Sequence, residues 1–128
     1  LFVVSKQWDG TRAGVYRLDA RIATAAPTPS ETIVMERRGD VPGTEGVFVT
    51  GGDVAPDGRV VALRTYSSVW LWDRDPGRSL DETLAAPPTC TVTVVEPQGE
   101  AVAFGADGRS IVTVSEGEGA SVLQLRPD

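Results

Sequence analysis

Few residues of this chain are equipped for chemistry, and the missing kinds are as informative as those present. There is no histidine, so these residues supply no imidazole general base, no Ser-His-Asp triad and no histidine metal ligand. Ser5, Ser67 and Ser115 therefore have nothing of that kind to activate them. Cys90 is the single cysteine, which excludes an internal disulfide and a cysteine pair for zinc. Beside the β-branched run Thr91–Val95 it reads as a small buried hydrophobe and not a nucleophile. Thr50-Gly51-Gly52-Asp53 has two glycines but neither the lysine nor the following helix of a phosphate loop. Asp57-Gly58-Arg59 and Asp107-Gly108-Arg109 lack the alternating oxygen donors of a calcium loop and read as hairpin turns. What remains is a handful of charged and aromatic groups, chiefly Glu100, Glu116, Arg64 and Tyr66. Carboxylates that converge could bind Ca²⁺ or a cationic ligand. Whether these converge depends on the fold.

The elements that must position them are short strands. Leu1–Lys6 and Gly14–Leu18 read as a hairpin around Asp9-Gly10, and Thr32–Arg37 as a third strand. Ala20–Ser30, with Pro27 and Pro29, reads as a loop that has room for one helical turn over Asp19–Ala25. Val47–Ala55, Val60–Tyr66 and Val69–Asp73 follow as strands, the first two joined by Pro56-Asp57-Gly58, where proline sets φ and glycine accepts φ > 0. Leu80–Leu84 suggests one helical turn. Strands at Thr91–Val95, Glu100–Phe104, Ser110–Ser115 and Ser121–Leu125 complete the chain. No segment holds a 3.6-residue period, so the pattern is all-β.

Composition bounds the class. The 128 residues are about one domain, 41% hydrophobic and 23% charged, which is globular and not disordered. No apolar run approaches the ~18 residues of a membrane span. A net charge of −6 argues against binding nucleic-acid phosphates, because Lys6 is the only lysine and the arginines are scattered. No signal-like segment is visible, and a strand at residue one suggests a fragment, a processed chain or a partial chain.

The pattern Gly51–Asp73 returns at Ala101–Leu125, with the turns Asp57-Gly58 and Asp107-Gly108 50 residues apart. A partial copy opens the chain. Phe2, Val61 and Ile111 align, then Val4, Leu63 and Thr113. In the next strand Tyr16/Leu18, Trp70/Trp72 and Leu123/Leu125 form one apolar face, while Arg17 and Gln124 lie on the other. That makes Trp70 and Trp72 core between sheets, not a ligand platform. Four-stranded repeats of about 50 residues are the signature of a β-propeller. APDGRVVALRTYSSVWLWD and GADGRSIVTVSEGEGASVLQL resemble the Pro-Asp-Gly repeat of TolB-like propellers. VTGGDVAPDGRVVALRTY, PQGEAVAFGADGR and VSEG look like the last blades of secreted actinobacterial propeller proteins, which are distantly similar to phytase-like and esterase-like propellers.

The expected fold is thus a partial β-propeller of about two and a half to three four-stranded antiparallel blades. Residues 1–38 supply three strands without the innermost, residues 47–95 a complete blade, and residues 99–126 three strands without the outermost. The remaining blades would lie upstream in the same protein or in another chain that closes the ring. In such a fold Tyr66, Glu100 and Glu116 share the channel face, with Arg64 pointing toward them. The absence of histidine, of a cysteine pair and of a catalytic constellation favours a non-catalytic binding or scaffold domain with a ligand on that face, and the resemblance implies that it is extracytoplasmic or secreted. The alternative is part of a calcium-dependent phytase-like or esterase-like hydrolase. No cofactor beyond Ca²⁺ is suggested, and no catalytic residue is assigned.

Overall fold

The computed structural model describes residues 1–24 and 32–127, so the Pro27–Pro29 segment lies outside the described residues. Among them, β1 (Phe2–Val4), β2 (Gly14–Arg17) and β3 (Glu36–Asp40) form a first antiparallel sheet in that order. A second is built from β4 (Val49–Val54), β5 (Val60–Thr65), β6 (Ser68–Asp73) and β7 (Cys90–Thr93). The third is β8 (Gly99–Phe104), β9 (Ile111–Ser115) and β10 (Val122–Leu125). Two one-turn helices, α1 (Ala20–Thr24) and α2 (Leu80–Leu84), interrupt the strands. The protein is all-β, and every sheet is a meander in which consecutive strands pair.

The repeated turns explain the repeated hairpins. Gly58 and Gly108 sit at φ of 72° and 65°, which glycine alone adopts without strain. Asp57 accepts the Arg59 N–H, and Asp107 accepts the Arg109 and Ser110 N–H groups together with the Ser110 hydroxyl. Those donors stabilise the ionised form and pull the Asp107 carboxyl down to about 2 from its ordinary 3.8. The unfolded chain therefore takes up this proton first. The turn's contribution is complete above about pH 4 and is lost as pH falls toward about 2. Asp107→Asn keeps an acceptor but does not titrate. Its melting temperature is expected to fall less than the parent's between about pH 5 and about pH 2, as read by thermal melts across that range.

The second sheet is sandwiched. One face carries Val61, Leu63 and Trp72, with Trp70 partly buried, against Val15 of the first sheet, Ala13 and Val41 at the ends of its strands, and Leu84 of α2. The opposite face carries Ala62 and Val69, with Leu71 and Val92 partly buried, against Val102, Ile111, Leu123 and Leu125 of the third. Trp70 and Trp72 are thus inter-sheet core as expected, and Trp72 Nε1 donates to the Ala86 carbonyl at 2.8 Å. A capping box between Ser79 and Glu82 starts α2 and sets Leu84 into this core. β4 and β8 run side by side. A methyl at Gly51 would lie 2.9 Å from the Glu100 carbonyl, so the approach needs a glycine.

Three expectations are corrected. Pairing of Phe2 with Arg17 and Val4 with Val15 puts β1's even residues on the face of Val15, against the second sheet. In the second sheet the corresponding pairs are Ala62 with Leu71 and Arg64 with Val69. Phe2 and Val4 therefore match Ala62 and Arg64, not Val61 and Leu63; the alignment slips by one residue, and such a slip exchanges faces. The third strand lies at Glu36–Asp40 and not Thr32–Arg37, because its partner β2 ends at Arg17 and offers Thr32–Met35 no ladder. Cys90 is exposed, not buried, since β7 is the outermost strand and Val92 alone of its residues reaches the inter-sheet core.

Candidate ligand-binding site

The corrected register puts Lys6, Tyr66 and Glu116 at equivalent positions, each the second residue beyond or just past the end of β1, β5 and β9. A further device aims Glu100. The β8–β9 ladder shifts between Gly99 and Ala101, leaving Glu100 as the extra residue of a bulge, and the β4–β5 ladder shifts in the same way at Thr50. Bulges turn a side chain away from the alternation of its strand. Thr50 Oγ1 donates to the Gly99 carbonyl at 2.8 Å and ties the two bulged strands together.

These side chains meet. Lys6 Nζ lies 3.6 Å from Glu100 Oε1, 4.7 Å from the centre of the Tyr66 ring and 5.3 Å from that of Trp8. Trp8 packs on Phe48 at 4.8 Å and Phe48 on Tyr66 at 5.7 Å, so three rings form one cluster. Gln98 Nε2 donates to Glu100 Oε1 at 3.0 Å and to Glu116 Oε2 at 2.5 Å. The Tyr66 hydroxyl oxygen beside Nζ, with the Glu100 carboxylate in support, holds the Lys6 ammonium above its ordinary 10.5 against the opposing effect of desolvation. Trp8 is 73% exposed, so the cluster opens to solvent.

Arg64 is not part of this surface. It stands on the Ala62–Val69 face of the second sheet, with no exposed surface, and its Nη2 bonds to Glu96. Glu96 Oε1 also accepts the Thr113 hydroxyl of the third sheet at 3.2 Å. The guanidinium lies against the backbone of Gly99, at a spot where a side chain at that position would collide with it. Its Nε and Nη1 have no protein partner. The arginine is a buried clamp under the segment that carries Gln98 and Glu100, and it does not point toward Glu100 and Glu116.

Of the four residues expected on one face, three are therefore brought together, joined by Lys6 and Gln98. Sequence reasoning passed over Lys6 as a site residue, and it missed Phe48, Glu96 and Thr113. A lone lysine two residues before a turn tryptophan was the available signal for Lys6. Glu96 and Thr113 carried none, since their link to Arg64 exists only through tertiary packing. Among the described residues no group of three or more His, Cys, Asp or Glu side chains is arranged to hold a metal ion. The chain matches no known protein-family model and no curated protein sequence.

Proposed function

We propose that the three sheets are consecutive blades of a TolB-like β-propeller and that the chain acts as a non-catalytic binding scaffold, extracytoplasmic or secreted. Its ligand lies on the face where Lys6, Trp8, Tyr66, Gln98, Glu100 and Glu116 meet. The observation that carries this reading is the linkage of Tyr66, Glu100 and Glu116, from separate strands, through Lys6 and Gln98 into one solvent-open cluster. Aromatic faces beside paired polar groups bind and orient a ligand. Nothing in the cluster provides an activated nucleophile.

The second reading is a calcium-dependent phytase-like or esterase-like hydrolase. It is favoured by two carboxylates, Glu100 and Glu116, close enough to share one amide nitrogen. The two readings separate by thermal melts. On the scaffold reading Ca²⁺ and EDTA leave the melting temperature unchanged, whereas a resident calcium would raise it by mass action.

Ring closure needs further strands. Among the described residues the inner edge of β1 is unpaired, and between β1 and β4 runs an open groove of about 500 Å³ whose lining includes Phe2, Val4, Lys6, Val49, Asp53 and Leu84. Val3 and Val122 are exposed on the first and last sheets. Free edges with apolar residues beside them associate. Residues 1–128 alone are expected to self-associate in light scattering, and a well-folded monodisperse monomer would contradict the closure of the ring by further strands.

A further inference from the structure

Two kinds of group that recognise an organic cation, aromatic ring faces and a carboxylate, surround the Lys6 ammonium. Tyr66 and Trp8 present ring faces at 4.7 and 5.3 Å from Nζ, and Glu100 presents a carboxylate oxygen at 3.6 Å. Ring quadrupoles attract a cation over their faces, and a carboxylate supplies the countercharge. We propose that this cluster of Tyr66, Trp8 and Glu100 is a binding site for the ammonium group of an organic ligand, and that Lys6 occupies it in the free protein and leaves when the ligand enters. The inference rests on the reading of this face as a ligand site and adds the class of ligand.

Three observations favour exchange over a fixed structural contact. Lys6 lies beyond the end of β1, on a connection that contains no strand before Gly14, so the side chain can leave without breaking a ladder. Its side chain is 27% exposed and Trp8 is 73% exposed, so the cluster is open to solvent while Lys6 occupies it. The walls do not depend on Lys6: Phe48 packs on both rings, and Gln98 holds Glu100 in place by a hydrogen bond of its own. When Lys6 leaves, the rings and the carboxylate remain positioned for a second cation. Two solvent-open cation–π contacts, the Tyr66 hydroxyl oxygen beside Nζ and one partly exposed ion pair are each weak, and together they would disfavour an incoming cation by about tenfold.

The test uses choline as the ammonium probe and 3,3-dimethyl-1-butanol, its neutral isostere, at constant ionic strength. Binding is read on the Trp8 indole N–H and the Tyr66 and Glu100 amides by nuclear magnetic resonance. Choline is expected to shift these signals saturably. The Lys6→Ala protein should bind it about tenfold more tightly than the parent, and Tyr66→Leu added to Lys6→Ala should abolish binding. Equal affinity of the parent and Lys6→Ala would overturn the proposal. So would equal binding of the neutral isostere, which would leave the face a ligand site of another specificity. Absence of any shift with either probe in Lys6→Ala would overturn the ammonium assignment and remove support from the ligand face as well.

Discussion

Arg64→Ala is expected to lower stability by about 3–5 kcal/mol, the cost of leaving one partner of a buried ion pair alone. The Arg64 and Glu96 side chains are 0% and 4% exposed, so solvent cannot take over the role of the missing partner. Glu96 would keep only the Thr113 hydroxyl. A domain of this size has on the order of 5–15 kcal/mol of total stability, so the variant approaches the unfolding threshold. Urea melts measure the loss. The pair itself is not an efficient stabiliser, because Nε and Nη1 of Arg64 are buried without protein partners. Replacing both members, Arg64→Met with Glu96→Leu, is accordingly expected to recover most of the loss. A loss below about 1 kcal/mol for Arg64→Ala would show that the guanidinium is solvated or mobile, contrary to the clamp described above.

Gly99→Ala is expected to cost about 3 kcal/mol, although it adds one methyl group. The new Cβ would overlap Cζ, Nη2 and Nε of Arg64. A flexible side chain at the surface would swing aside, but this one is fully buried and held by Glu96. Relief requires either loss of the ion pair or displacement of β8, which carries Glu100. The effect should be strongly non-additive. In an Arg64→Ala background the space is vacant, and Gly99→Ala should then cost about 1 kcal/mol or less. Equal costs in the two backgrounds, measured by urea melts of the four proteins of the cycle, would mean that the methyl group is excluded by something other than the guanidinium.

The sheet grouping was legible because it is written in local chemistry. Two Asp-Gly turns at positive φ and period-2 apolar strands leave little choice of pairing. The first sheet was harder, since β1 is three residues long and apolar on both faces, so neither register stands out in Phe2-Val3-Val4. That one-residue slip had a functional consequence. Aligning Val4 with Leu63 puts Gln7 at the position of Tyr66, whereas the observed pairing makes Lys6 the counterpart of Tyr66 and Glu116. Arg64 was misplaced for a different reason. Sequence pattern treats an arginine within a strand as a group seeking solvent, and its partner Glu96 is distant in the chain and supplied by the turn after β7. The bulge that aims Glu100 was also invisible, because its bulge position in the ladder depends on Gly99 pairing with Ser115 and Ala101 with Val114.

The central claim is that the ends of β1, β5, β8 and β9 form one ligand-binding face. Chemical-shift mapping with a library of small polar and cationic molecules tests it most directly on isotope-labelled protein. The account predicts that shifts for bound molecules converge on Lys6, Trp8, Tyr66, Gln98, Glu100 and Glu116. It is contradicted if they converge instead on the groove beside Phe2, Val4 and Leu84, which Lys6 also borders, and leave the signals of the Trp8 indole, Tyr66, Gln98 and Glu116 unmoved.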